Sequence, residues 1–147
     1  MTNNPQMPLV GQIVRYSYLW RQDALKGIDE GSKDRPCAVI LVILERGKRP
    51  LVRVLPITHS PPAEMEGALE LPLMTKQRLG LDEQRSWIII DEANDFHWPG
   101  PDLRPLVSGD FSSVLYGRLP PNFMKALVAK LKLLHQNRKS LVVQRTE

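Results

Sequence analysis

Residues 35–44, Arg-Pro-Cys-Ala-Val-Ile-Leu-Val-Ile-Leu, leave the chain little freedom in its choice of fold. The apolar stretch is unbroken, rich in β-branched residues and too short for an ordinary helix, which predicts a strand buried on both faces. Pro36 bounds it in front, and Glu45-Arg-Gly-Lys-Arg49 behind it reads as a hairpin connection. Residues 51–58, Leu-Val-Arg-Val-Leu-Pro-Ile-Thr, then return as the antiparallel partner. A chain organised around such a hairpin is a sheet protein.

The rest of the sequence is read around that hairpin. Residues 11–20 carry Val14, Tyr16, Tyr18 and Trp20 at period two and predict the first strand. Residues 21–34 are polar, hold Gly27 and Gly31, and predict a long loop without a packed element. Residues 68–73 and 86–91 predict two further strands, with a short helical turn at 74–79 stopped by Gly80. Proline-rich residues 96–105 predict a rigid loop. Phe123, Met124, Leu127, Val128, Leu131 and Leu134 recur at helical spacing behind Pro120-Pro121, while Lys125, Lys130 and Lys132 fall off that stripe onto a solvated face. The expectation is a mainly β, barrel-like fold closed by a C-terminal amphipathic helix. It forms one domain over residues 9–138, between a frayed arm at 1–8 and a loose polar tail at 139–147.

Composition narrows the class of function. With 42% apolar and 24% charged residues, the 147-residue chain has globular rather than disordered composition and enough length to bury a core unaided. Residues 1–8 lack the basic and apolar regions of a signal peptide, and no apolar run is long enough to span a bilayer, so the expected location is cytoplasmic. The single cysteine, Cys37, sits inside an apolar run and is expected to be a buried small hydrophobe. A net charge of +4 is compatible with a polyanionic partner without identifying one. His59, His97 and His135 are far apart, no CxxC or HExxH is present, and no glycine-rich loop opens a helix, so neither a metal nor a nucleotide cofactor is expected.

One pair of residues points to chemistry. Arg35 enters the buried strand and Thr58 ends its partner, so hairpin geometry brings them together. An arginine beside a hydroxyl suits a phosphoryl transition state, because the guanidinium is permanently charged and forks onto phosphate oxygens. The competing explanation is a surface ion pair and an ordinary strand end. His59, next to Thr58, is a candidate proton shuttle. Trp98 and Arg104 are candidates to stack an unpaired base, against the alternative of a tryptophan that anchors its loop by packing.

Several of these segments, in this order, resemble the MazF/PemK/Kid family of toxin endoribonucleases. The opening G-x-I-V strand is similar to Gly11-Gln-Ile-Val14, and the G-x-R-P motif with its apolar strand resembles Gly31-Ser-Lys-Asp-Arg-Pro-Cys-Ala-Val-Ile-Leu-Val42. The P-[IV]-T-[ST] strand end resembles Pro56-Ile-Thr-His-Ser60. The resemblance implies an SH3-like, PemK-type barrel, Arg35 and Thr58 as catalytic residues, and functional carboxylates at Glu30 and Asp91. Lys33, in place of a glycine two residues before the arginine, joins His59, Trp98 and Arg104 as an expected RNA contact. The implied reaction is metal-free attack of an RNA 2′-hydroxyl on the adjacent phosphate, leaving a cyclic phosphate and a 5′-hydroxyl. The implied partners are single-stranded mRNA, a cognate antitoxin and a second copy of the chain. Two rivals are a non-catalytic module binding RNA or protein on the same barrel, and a gyrase-poisoning toxin resembling CcdB.

Overall fold

A computed structural model describes residues 5–28, 31, 33–137 and 141–145. It is mainly β, with eight strands and three helices among the described residues. Strand β1 (Gln12–Ser17) pairs with β2 (Asp34–Ile43), which pairs in turn with β3 (Leu51–Thr58). Strand β3 is long enough to serve two neighbours. Its first half pairs with β6 (Glu92–His97) and its end with β5 (Trp87–Ile89), which also pairs with β4 (Ala68–Glu70). Strand β7 (Leu115–Arg118) covers the far side of β1, and β8 (Leu141–Gln144) runs parallel to β6, the one parallel pairing among these strands. The path β4-β5-β3-β2-β1-β7 does not close on itself.

The central hairpin buries both of its faces, as its unbroken apolar sequence requires. Ala38, Leu55 and Ile57 enter one cluster with Ile13, Ile88 and Leu127, whereas Cys37, Val39, Val52 and Val54 enter a second with Val14, Tyr16 and Phe96. Helix α3 (Pro121–Gln136) begins on a proline whose missing N–H costs a helix nothing at its first position. It covers the first cluster with Leu127 and Leu134, with Phe123, Met124 and Leu131 partly buried beside them. Val128 and Leu133 of α3 stay exposed. Helix α2 (Leu73–Leu79) ends at Gly80, whose φ of 74° is the left-handed conformation expected of a glycine stop. No helix among the described residues is long and apolar enough to cross a membrane.

Four expectations need correction. The polar segment 21–34 contains a short helix, α1 (Arg21–Leu25), none of whose residues is buried. Residues 96 and 97, expected in a loop, complete β6, and β7 was not anticipated. Residues 141–144 of the supposed loose tail form β8, and Arg145 behind them is buried. Lys130 is not simply solvated, because its ammonium donates to the carbonyls of Met65, the first residue of a 3₁₀ turn (Met65–Gly67), and of Ala68 just after it.

A physical reason lies behind the missed strand β6 and the missed burial of Arg145 after β8: polar groups are buried there by being paired. Asp95 receives a forked contact from Arg53 at 2.7 and 3.0 Å. The Asn94 side chain accepts from Leu19 N at 2.9 Å and donates to Leu19 O at 2.8 Å, in effect adding a ladder rung where β1 ends. Arg145 donates to Ser17 O and to Asn94 Oδ1 and lies 3.0 Å from Asp102. Strand β6, Glu-Ala-Asn-Asp-Phe-His, carries no apolar alternation for a sequence reading to find.

Candidate active site

The β2–β3 register places Cys37 opposite Pro56. The β2–β3 ladder ends at that pair; beyond it Arg35 pairs with Tyr16 of β1 and Thr58 with Trp87 of β5. Arg35 and Thr58 line two adjoining clefts, as does Lys33. The wider cleft, about 800 Å³, is walled by Trp20, Asp91 and Glu92; the narrower, about 270 Å³, by His59, Lys76 and Asp82. Arg35 and Thr58 thus form the ridge between a side that carries Asp91 and a side that carries His59.

Arg35 is only 8% exposed. Its guanidinium lies over the Trp20 ring, 5.0 Å from the centroid, and Nη1 donates to Ile57 O at 3.5 Å. The buried Nε has no hydrogen-bond partner among the described residues. Burial lowers the pKa of Arg35, with Cys37 and Tyr18 acting in the opposite direction, but arginine starts so high that it stays cationic. An under-satisfied buried donor on a fixed cation is costly in a resting protein and useful to an arriving anion. Thr58 Oγ1 accepts from Ser60 N at 3.1 Å, which leaves its own proton free to donate.

Asp91 follows β5, where the chain turns toward β6. Burial raises its carboxyl above the usual range, opposed by a backbone hydrogen bond. Space for the carboxylate comes from Gly67, since a Cβ there would sit 2.6 Å from Asp91 Oδ2. Gly67→Ala is therefore expected to displace Asp91 and to destabilise the fold by about 1–3 kcal/mol, the usual scale of overpacking. Chemical denaturation checks this, and an unchanged midpoint would contradict it. Glu92 lines the same wall and accepts from Tyr18 Oη and Arg21 N, both at 3.0 Å; burial raises its carboxyl too.

Across the ridge, His59 Nε2 lies 2.7 Å from Asp82 Oδ2. Asp82 Oδ1 accepts from Lys76 Nζ at 2.6 Å and from Gln84 N at 3.1 Å. Desolvation works to raise the Asp82 carboxyl, but the bonds from Lys76 and His59 outweigh it and hold the carboxyl below its ordinary value. Lys76 lies on α2 and is almost wholly buried.

The expected site residues do not all converge. Lys33, Arg35, Thr58, His59 and Asp91 line one or both clefts. Glu30 lies outside the described residues. Trp98 is 3% exposed, packs against Phe96 in the second core cluster and donates from Nε1 to Pro5 O, so its ring faces are not available to a base. Arg104 lines neither cleft; it bonds Pro101 O and lies 3.4 Å from Asp34. The aromatic residues at the site are Trp20, which the sequence placed in the first strand, and Tyr116 of β7. Gly67, Glu92, Lys76 and Asp82 were not singled out, since each takes its role from a partner distant in sequence or across a turn. No family model matches the chain, and no curated protein matches it in sequence.

Proposed function

We propose that the double cleft cleaves single-stranded RNA without a metal ion, as the toxin half of a toxin–antitoxin pair. The observation that carries this reading is Arg35: a buried, permanently charged group with an unpartnered Nε that shares the lining of both clefts with Thr58. In the reaction the RNA 2′-oxygen forms a bond to phosphorus and the bond to the 5′ oxygen breaks. Arg35 and Thr58 donate to the phosphoryl oxygens, whose charge grows in the transition state. Asp91, whose carboxylate burial makes more basic than usual, takes the 2′ proton. Lys33 holds a neighbouring phosphate, and Trp20 offers a ring edge beside the scissile position. A compact SH3-like barrel of the PemK type is the fold reading that accompanies this function; strand β3, shared between β5 and β6, supports it. A homodimer neutralised by an antitoxin protein is the matching assembly.

Charge stabilisation by Arg35 requires no divalent ion, so purified protein is expected to fragment a long RNA at an undiminished rate in excess EDTA, as read on a denaturing gel. Activity that disappears in EDTA and returns with Mg²⁺ or Mn²⁺ would contradict the metal-free mechanism. RNA that is bound but left intact would favour a non-catalytic RNA-binding module.

A further inference from the structure

The His59–Asp82–Lys76 chain is built more firmly than a surface ion pair requires. Asp82 is half exposed, yet one of its oxygens is held by an ammonium whose side chain is only 2% exposed. That ammonium also donates to the carbonyl of Gln84, while Gln84 N donates back to Asp82. Burying a lysine is costly unless it is paired, and this one is positioned to fix a carboxylate. The carboxylate in turn holds His59 by Nε2 at 2.7 Å. The other ring nitrogen, Nδ1, has no hydrogen-bond partner among the described residues and belongs to a side chain that lines the narrower cleft. A carboxylate that fixes one imidazole nitrogen and leaves the other for substrate is the arrangement that orients a histidine for proton transfer.

Placement supplies the second half of the argument. Asp91 lines only the wider cleft and His59 only the narrower, with Arg35 and Thr58 lining both. In-line displacement at phosphorus needs its attacking and leaving oxygens on opposite sides of the phosphate. A phosphate held on the Arg35–Thr58 ridge has a carboxylate toward one side and an imidazole toward the other.

We propose that His59 is the general acid of the cleavage, giving the proton on Nδ1 to the departing 5′ oxygen, with Asp82 and Lys76 as positioning residues. The assignment rests on the nuclease reading above. As the 2′-oxygen bonds to phosphorus, its proton passes to Asp91; as the bond from phosphorus to the 5′ oxygen breaks, its electron pair takes the proton from the His59 imidazolium. Exchange of both groups with solvent restores the starting state.

The test compares two oligoribonucleotides spanning a cleavage site mapped on long RNA, one natural and one with sulfur replacing the bridging 5′ oxygen. A thiolate leaves without protonation. His59→Ala should cleave the natural linkage about 10² to 10⁴ times more slowly, the usual contribution of a general acid, and the thio linkage close to the wild-type rate. Asp82→Asn should show the same rescue at smaller amplitude, which a purely structural role would not produce. Arg35→Ala should slow both linkages alike. Equal slowing of both linkages by His59→Ala, or wild-type cleavage of the natural one, overturns the acid assignment while leaving the nuclease reading intact. A wild-type protein that cleaves neither linkage nor long RNA overturns both.

Discussion

Arg35→Ala is expected to lower the rate of RNA cleavage by roughly 10² to 10³, which corresponds to about 2.7–4 kcal/mol of transition-state stabilisation, the amount lost when a single oxyanion donor is deleted. The reasoning begins with burial. A guanidinium that is 8% exposed, braced on Trp20 and under-satisfied at Nε acts in a medium less polarisable than water, where its charge counts for more. Because charge develops on the phosphoryl oxygens in the proposed reaction, the loss should fall on kcat more than on KM. Arg35→Lys should recover only part of the rate, since a point charge on a flexible stem cannot reproduce the forked contact. Thr58→Val keeps the β-branched shape and removes the hydroxyl, which separates a chemical role from a packing one. Arg104→Ala is the fitting control and should stay near the wild-type rate, because Arg104 lines neither cleft. Lys130 is unsuitable as a control, since it braces the turn that makes room for Asp91. Wild-type rates in both Arg35→Ala and Thr58→Val would remove the catalytic assignment and leave an interaction module.

The second large effect concerns stability. Arg145→Ala is expected to destabilise the protein by about 3–5 kcal/mol, the scale of removing one partner from a buried ion pair. Arg145 is the point at which residues following β8 reach the rest of the molecule. Its side chain is 2% exposed, and its guanidinium serves Asp102, Ser17 O and Asn94 Oδ1 together. Removing it takes away the cation facing Asp102 and one donor to Asn94, the residue that bridges to Leu19. Denaturant titration should show the midpoint falling at nearly constant slope. Asp102→Asn added to Arg145→Ala should recover part of the loss, since a neutral amide tolerates burial better than a carboxylate. An unchanged midpoint in Arg145→Ala would mean that the β6–β8 edge contributes little to the fold.

What the sequence disclosed divides along the same physical line. The β2–β3 hairpin, α2 with its Gly80 stop, and α3 behind Pro120-Pro121 were readable because their signals are local: an apolar run, a left-handed glycine, a helical stripe. Arg35 and Thr58 line the same two clefts, as expected of residues on adjacent strands of one hairpin, although a register shift interrupts the β2–β3 ladder between Val39 and Leu41. Strand β6 was hidden because Glu92, Asn94 and Asp95 are polar and meet their partners Tyr18, Leu19 and Arg53 only in the folded chain. Lys76 carries no local signal of burial; only the fold of the segment after α2 delivers Asp82 and the Gln84 carbonyl to it. Trp98, a plausible stacking platform by residue type, became a core residue through Phe96, its neighbour in β6. Residues whose role depends on a partner supplied by tertiary structure are the ones that sequence patterns miss.

The central claim, that a 2′-hydroxyl attacks phosphorus on the Arg35–Thr58 ridge, is tested most directly by the ends of the fragments. Long RNA cleaved by the purified protein in EDTA should yield 5′ ends that polynucleotide kinase labels without prior phosphatase treatment, and 3′ ends that carry a 2′,3′-cyclic phosphate by mass spectrometry. Fragments bearing 5′-phosphate and 3′-hydroxyl ends, or RNA that remains intact at stoichiometric protein, would contradict it.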